Sequence, residues 1–270
     1  MACDRSTMHL VPIASEFAGA DVGDARLSKR ISSVVVALER QPDASYPAIF
    51  SQEDDREGFY RLVRNRSVTH NAVLAPHVDA TVLRAQEVDC TLVIHDSTEI
   101  VHGAGSAGTD FYELQSKRHF GYVAHVGLCV SLADRAPLGI VHLECVERAA
   151  AAVRAGNRER SRKEAWLDPN KESLRWVRGV EVTGALLPDA IHVADREGDS
   201  YEFLALCSPY SFVIRGGAYD RRVMDLQGEP GLLMEVADRE SLLLCRKSHL
   251  SARSNQGKDA KVFLYGPART

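Results

Sequence analysis

Between Thr91 and Ile214 the chain falls into short apolar runs separated by turns and helical stretches, and that order limits the architecture more than any other feature. Thr91-Leu92-Val93-Ile94 is a run typical of a buried strand. Gly121–Leu132 and Leu138–Val146 read as two longer strands, joined by a hairpin turn at Ala133–Pro137. Residues from about Arg158 to Leu187 read as helix, with Trp166, Leu174, Trp176, Val177 and Val180 as apolar anchors and Pro169 as an interruption. Ile191–Ala194 is a further strand, Tyr201–Cys207 a short helix, and Phe212-Val213-Ile214 a fifth strand. A hairpin followed by helix-linked strands implies an α/β fold: a mixed sheet flanked by helices.

The first third reads differently. Leu27, Ile31, Val34, Val35 and Leu38 recur at helical spacing, with Asp21 or Asp24 as the cap and the Gln41–Pro47 segment as the stop. Arg26, Lys29 and Arg30 share the opposite face. A second helix is expected near Arg56–Arg66, packed through Phe59, Leu62 and Val63. A third follows Thr69, with Val73, Leu74, Val78 and Val82 facing inward and Pro76 as a kink or break. These make a small N-terminal helical domain. Beyond Arg215, Leu242–Cys245 and Val262–Tyr265 are strand-like, around the polar stretch Ser248–Lys261.

Charge and cysteines narrow the partners. The net charge is −4, which argues against a globally basic nucleic-acid binder. The distribution is uneven: residues 148–178 carry nine basic and four acidic groups, a local patch able to hold a polyanion on an acidic body. None of the six cysteines forms a C-x-x-C pair and most sit in apolar runs, as free thiols of a reducing compartment do. The N-terminus lacks a signal-peptide core and no apolar run approaches membrane-spanning length, so a soluble cytoplasmic protein is expected.

Two acids stand out. Asp96 closes the first strand run, in Ile94-His95-Asp96-Ser97-Thr98-Glu99, and Asp195 closes the fourth, in Val193-Ala194-Asp195-Arg196-Glu197-Gly198-Asp199. On parallel neighbouring strands their carboxylates would emerge side by side, where ligands bind in open α/β sheets. Paired like charges call for a cation, and hard oxygens suit Mg²⁺ or Mn²⁺. Each aspartate is equally readable as the cap of the next element. Other motifs weigh less. Gly103-x-Gly105-x-x-Gly108 does not follow directly from a strand end as a dinucleotide loop requires. His119 and His125 lack a zinc-ligand set, and Ser97 stands in no G-x-S-x-G elbow.

Four segments, in order from about Glu16 to Arg215, resemble the DDE transposases of bacterial insertion sequences, of the kanamycin-transposon type. Gly23-Asp24-Ala25-Arg26-Leu27-Ser28-Lys29-Arg30, with Tyr60-Arg61, Asn65 and Val68-Thr69, resembles their DNA-end-binding domain. His95-Asp96-Ser97-Thr98-Glu99 and Asp195-Arg196-Glu197-Gly198-Asp199-Ser200-Tyr201 resemble the first and second catalytic motifs, and Phe212-Val213-Ile214-Arg215 the strand that follows. The resemblance implies a helical DNA-end-binding domain (1–70), an RNase H-like catalytic core (71–215) and the start of a β-rich insertion (216–270). It implies Asp96 and Asp195 as catalytic and metal-binding residues, with Mg²⁺ or Mn²⁺ as cofactor. Arg26, Lys29, Arg30, Arg61, Arg196 and Arg215 are then DNA contacts. The expected partners are double-stranded DNA (transposon ends and target) and a second copy or a full-length transposase, with no membrane, in a cytoplasmic, nucleoid-associated setting.

The resemblance also implies a third acid, a Glu in a Tyr-x-x-Arg-x-x-x-Glu signature on a late helix. Tyr219 and Arg222 match the first half of that spacing, but Leu226 holds the Glu position. Glu197, Asp199 and Glu202 follow Asp195 too closely to replace a helix-borne ligand. The expectation is a chain truncated before its third acid: a transposase-type protein with impaired phosphodiester hydrolysis and strand transfer, or a non-catalytic DNA-binding remnant or inhibitor of transposition.

Overall fold

A computed structural model describes residues 12–103, 112–114, 120–146, 171–214, 222–225, 227–233, 235–236, 244–249 and 259–264. Five helices come first: α1 (Ile13–Glu16, continued by a 3-10 turn at Phe17–Gly19), α2 (Ala25–Arg40), α3 (Tyr46–Ile49), α4 (Glu53–Val63) and α5 (His70–Gln86). Asp24 starts α2, accepting the Arg26 amide on its side chain at 2.7 Å, which satisfies one of the amides a helix start leaves open. The expected stripe packs as read: Ile31 is buried, and Leu27, Val34 and Val35 lie against Ala20, Val22, Leu62 and Val73.

α5 departs from expectation twice. Pro76 sits inside the helix without ending it. The lost backbone bond is offset by packing, since Pro76 lies against Gly19 and the neighbouring His77 ring stacks on Phe17 at 5.6 Å. The deepest stripe is also not the aliphatic one; it is His77, Thr81 and Ala85, with Val73 and Val82 half-buried beside it. Polar groups are tolerated there because each is bonded. Thr81 donates to the His77 carbonyl at 2.7 Å, and His77 Nε2 accepts the Ile140 amide at 3.0 Å.

The central sheet contains β1 (Thr91–Gly103), β2 (Tyr112–Glu113), β3 (Phe120–Ser131), β4 (Pro137–Val146), β5 (Ile191–Ala194) and β6 (Phe212–Ile214). The spatial order is β4-β3-β1-β5-β6, with β2 also on β3. β1, β3 and β4 are antiparallel in sequence, whereas β5 and β6 run parallel to β1. The fold is therefore α/β, with N-terminal helices and a mixed sheet, as the order of runs implied.

The β3–β4 turn lies where it was expected, with Arg135 at a positive φ of 63° and the Asp134 side chain accepting the Ala136 amide at 3.1 Å. α6 (Arg175–Leu186) follows a 3-10 turn at Glu172–Leu174, so the described helix begins later than expected; Trp166 and Pro169 lie outside the described residues. α7 (Tyr201–Leu206) precedes β6. Trp176, Val177 and Val180 of α6 form one core cluster with Ala194, Phe203 and Cys207. Val93, Cys129, Leu138, Val141 and Ala85 form another. Gly139 has φ +144°, and a Cβ there would stand 2.1 Å from Thr81 Oγ1, so only glycine lets β4 approach α5 this closely.

Beyond β6 lie two hairpins, β7 (Arg222–Met224) with β8 (Pro230–Leu232), and β9 (Leu244–His249) with β10 (Asp259–Leu264). The first was not expected. The second overlaps the two strand-like runs. No helix among the described residues is long and apolar enough to cross a membrane.

Candidate active site and nucleic-acid interface

The two aspartates are reached by different local routes. Asp96 does not end its strand: β1 continues to Gly103, because β3 pairs it all the way. It is the parallel partner that stops. β5 pairs Leu92, Val93 and Ile94 with Ile191, His192 and Val193, then gives way at Asp195 to a 3-10 turn, Arg196–Gly198. Carried two residues past its last pair, that register would bring Asp96 level with Asp195, which itself lies on the turn after β5. Both residues are exposed, while His95 and Ala194, one step back along each strand, are buried. The pleat thus turns the carboxylates out and the preceding side chains in.

Each carboxylate is steadied by a backbone amide just after it. Asp96 Oδ1 accepts the Ser97 amide at 2.8 Å, and Asp195 Oδ1 accepts the Glu197 amide at 2.8 Å. Arg175, the first residue of α6, donates from Nε to Ser97 Oγ at 2.8 Å and from Nη2 to Glu197 Oε2 at 2.9 Å. Its residue exposure is 8%, and it was invisible as a site residue in the sequence, where it counted only toward a basic block. The Ser97 hydroxyl also shares a hydrogen bond with His125 Nδ1, 2.9 Å away.

Beneath the pair lies a layer of imidazoles. His95 Nε2 is 3.1 Å from His192 Nδ1, His95 stacks on His125, and His125 meets the Trp176 edge at 4.8 Å. Burial, followed by the neighbouring imidazoles, pushes His95 down to about 2; burial pushes His125 to about 3 and His192 to about 4. All three are neutral at pH 7, so nothing in this layer offsets the two carboxylate charges. His125 is fully buried and its basicity is lowered by that burial, which makes Ser97–His125 a poor nucleophile–base pair.

Two neighbouring carboxylates are hard oxygen donors whose chemistry fits Mg²⁺ or Mn²⁺. They form a partial set: among the described residues no group of three or more His, Cys, Asp or Glu is arranged to hold a metal. Arg222, which matched half of the third-acid signature, lies on strand β7; Tyr219 and Leu226 lie outside the described residues.

The predicted DNA contacts divide as follows. Arg26, Lys29 and Arg30 are all exposed on α2. The Arg30 guanidinium lies across Gly58 of α4, where a Cβ would stand 1.8 Å from Nη1, so it is braced against the neighbouring helix. Arg61 is exposed and bonds Glu57 at 2.5 Å, a surface pair that half-neutralises it. Arg196 is exposed on the turn after Asp195, and Arg215 lies outside the described residues. Arg40, Arg64, Arg66, Tyr46 and Tyr60 are also exposed in the helical region; of these, sequence reasoning singled out only Tyr60, within the resemblance. His119, Gly105 and Gly108 lie outside the described residues; Gly103 ends β1, and His125 is the core residue described above.

Residues 13–68 match a family model described as transposase DNA-binding. The match spans α1 to α4 and the loop before α5, the region that carries Arg26, Lys29, Arg30 and Arg61. It supports a transposase-type DNA-binding protein.

Proposed function

We propose that this chain is a DDE-type transposase protein that grips double-stranded DNA ends through its N-terminal helices and carries two of the acids of a metal-dependent phosphodiester centre, Asp96 and Asp195. One combination supports the reading: the helical region matches a transposase DNA-binding model, and the parallel β1–β5 register, if extended two residues, would bring Asp96 level with Asp195. The strand order, an antiparallel β4-β3-β1 unit extended by parallel β5 and β6, supports an RNase H-like core, and the two C-terminal hairpins support a β-rich insertion.

Asp96 and Asp195 would hold Mg²⁺ or Mn²⁺, which when bound supplies Lewis-acid stabilisation of charge on phosphate oxygens. The chain's own residues do the rest. The Ser97 and Glu197 amides orient the carboxylates, and Arg196 reaches toward the DNA backbone. Arg26, Lys29 and Arg30 neutralise phosphates. On this reading end binding outlasts cleavage: hydrolysis and strand transfer are impaired, and the chain acts chiefly as a DNA-end-binding protein. The alternative is a non-catalytic DNA-binding remnant or an inhibitor of transposition, acting through end occupancy or pairing with a second copy or a full-length transposase. The setting is the nucleoid.

The test is selection of bound duplexes from a random pool, followed by gel shifts with and without Mg²⁺. Arg26→Ala and Lys29→Ala are expected to weaken binding and each to lower the salt slope by about one. Asp96→Ala binds as the parent does. Absence of DNA binding at low salt refutes the reading, and Mg²⁺-dependent nicking at full rate that Asp96→Ala abolishes refutes the impairment.

A further inference from the structure

Arg175 occupies a place where a cation is disfavoured. It is the first residue of α6, buried at 8% exposure, at the helix end that carries partial positive charge. A residue that breaks a local rule and persists in a packed setting usually serves a site. Its hydrogen bonds show which one. Nε donates to Ser97 Oγ at 2.8 Å and Nη2 to Glu197 Oε2 at 2.9 Å, while Nη1 donates to the Glu172 carbonyl at 3.1 Å. Ser97 and Glu197 are the same two residues whose amides hold Asp96 Oδ1 and Asp195 Oδ1. The arrangement is nearly symmetric: carboxylate, amide, side chain, guanidinium, and back along the other arm.

The two arms need this bridge. Past Ile94 and Val193 no strand pairing joins β1 to β5, so the ladder itself leaves the aspartate-bearing segments untied. Arg175 ties them through one rigid planar group, whose fixed fork sets distance as well as charge. The guanidinium is held in turn by Trp176, whose ring lies 5.8 Å from its Cζ, and by Ser97's bond onward to His125 at 2.9 Å.

We infer that Arg175 is the positioning residue of the aspartate pair: it yokes Ser97 to Glu197 and thereby fixes the spacing of Asp96 and Asp195. The inference rests on the proposed function for its purpose, though not for its geometry. Lysine cannot replace arginine here, because a single ammonium on a flexible stem does not span both acceptors in one plane.

The test reads spacing and metal affinity separately, in the full 270-residue chain. First, Asp96→Cys and Asp195→Cys are combined, and the rate of disulfide formation between these positions is followed by peptide mass spectrometry. If the β1–β5 register holds for two more residues, the two positions fall within the Cα separation a disulfide accepts. Adding Arg175→Lys or Glu197→Gln is expected to slow this cross-link about tenfold. Glu197 is exposed, with 63% of its side chain accessible, so its substitution tests the yoke in a chain that folds even where Arg175→Lys does not. Second, Mn²⁺ binding to chains retaining both aspartates is followed by paramagnetic resonance. Arg175→Lys is expected to weaken it by about ten- to a hundredfold, the usual cost of losing a partner that orients a ligand. Adding Glu197→Gln to Arg175→Lys is expected to cost little more, since both act through one bridge.

A parent pair that cross-links at a rate unmoved by Arg175→Lys overturns the yoke and leaves the proposed function standing. Undiminished Mn²⁺ affinity in Arg175→Lys does the same. A parent chain that binds no Mn²⁺ yet shows the slowed cross-link supports the yoke and counts against the proposed function. A parent pair that does not cross-link overturns both.

Discussion

Glu16→Gln is the most informative single substitution outside the site, because Glu16 fastens the first helix of the DNA-binding region to the body of the molecule. Its carboxylate accepts Arg84 Nη1 at 2.6 Å and His77 Nδ1 at 2.6 Å. Both partners lie on α5, and both continue into β4: Arg84 Nε donates to the Leu138 carbonyl at 2.7 Å, and His77 Nε2 accepts the Ile140 amide at 3.0 Å. Only 12% of the Glu16 side chain is accessible, against 23% for Arg84. Breaking a buried ion pair from one side costs about 3–5 kcal/mol. Water reaching the partly exposed Arg84, and the amide oxygen that Gln keeps, reduce this to about 2–3 kcal/mol, a fall of about 4–5 °C in melting temperature for a chain of this size.

The pH dependence sharpens the test. Burial raises the Glu16 carboxyl, but the hydrogen bonds and charges of Arg84 and His77 outweigh it and hold the group below its ordinary 4.5. A depressed acid stabilises above its unfolded value and loses that contribution as pH falls through the folded one. Melts by calorimetry should therefore show a gap between parent and Glu16→Gln that is full at pH 7 and closes on acidification below 4.5. Arg61→Ala, which breaks the exposed Arg61–Glu57 pair, serves as the control and should change stability by under about 0.5 kcal/mol. A Glu16→Gln chain that melts within a degree of the parent, or a gap that persists at pH 3, refutes the argument.

Three further outcomes follow. The buried histidines have folded values of about 2, 3 and 4, well below their unfolded 6.5, so their stabilisation is complete above 6.5 and is lost as pH falls. Denaturant melts should lose about 1–2 kcal/mol per buried histidine between pH 6.5 and 5, and a His95 imidazole resonance that titrates near 6 by NMR would contradict this. Gly179→Ala would place a Cβ 2.9 Å from His125 Nε2 and 3.0 Å from His95 Nδ1, and should cost about 1–3 kcal/mol by thermal melt; a neutral effect would show that the imidazole layer gives way freely. Trp176→Ala should cost about 3–5 kcal/mol by the same measurement, since that side chain is 2% exposed at the centre of the α6 cluster.

Much of this was legible before any coordinates. The α2 stripe, the β3–β4 hairpin, β5 and β6 all follow from periodicity and turn chemistry that local sequence carries, and Asp24 was one of two named caps. The misreadings share one cause, namely partners distant in sequence. Thr91–Ile94 reads as a short strand because only that stretch is continuously apolar, yet β3 carries the strand on through the polar His95–Glu99 segment. Pro76 reads as a break, yet Gly19 and Phe17, more than fifty residues earlier, hold the helix together. Arg175 gave no signal as a site residue, because its role depends on Ser97 and Glu197, which only the fold assembles around it.

β1 outruns its parallel neighbour. β5 accompanies it only from Leu92 to Ile94, whereas β3 follows it to Gly103. From Asp96 outward, among the described residues, the sheet loses β5 and β6 and continues as a cantilever of β1 on β3, with β4 and then β2 on the far side of β3. Asp96 stands at the root of that cantilever, while Asp195 is anchored on a turn with buried Gly198 and Asp199. On the proposed function, a load on this part of β1 would reach Asp96 first and pass to Asp195 through the Arg175 bridge.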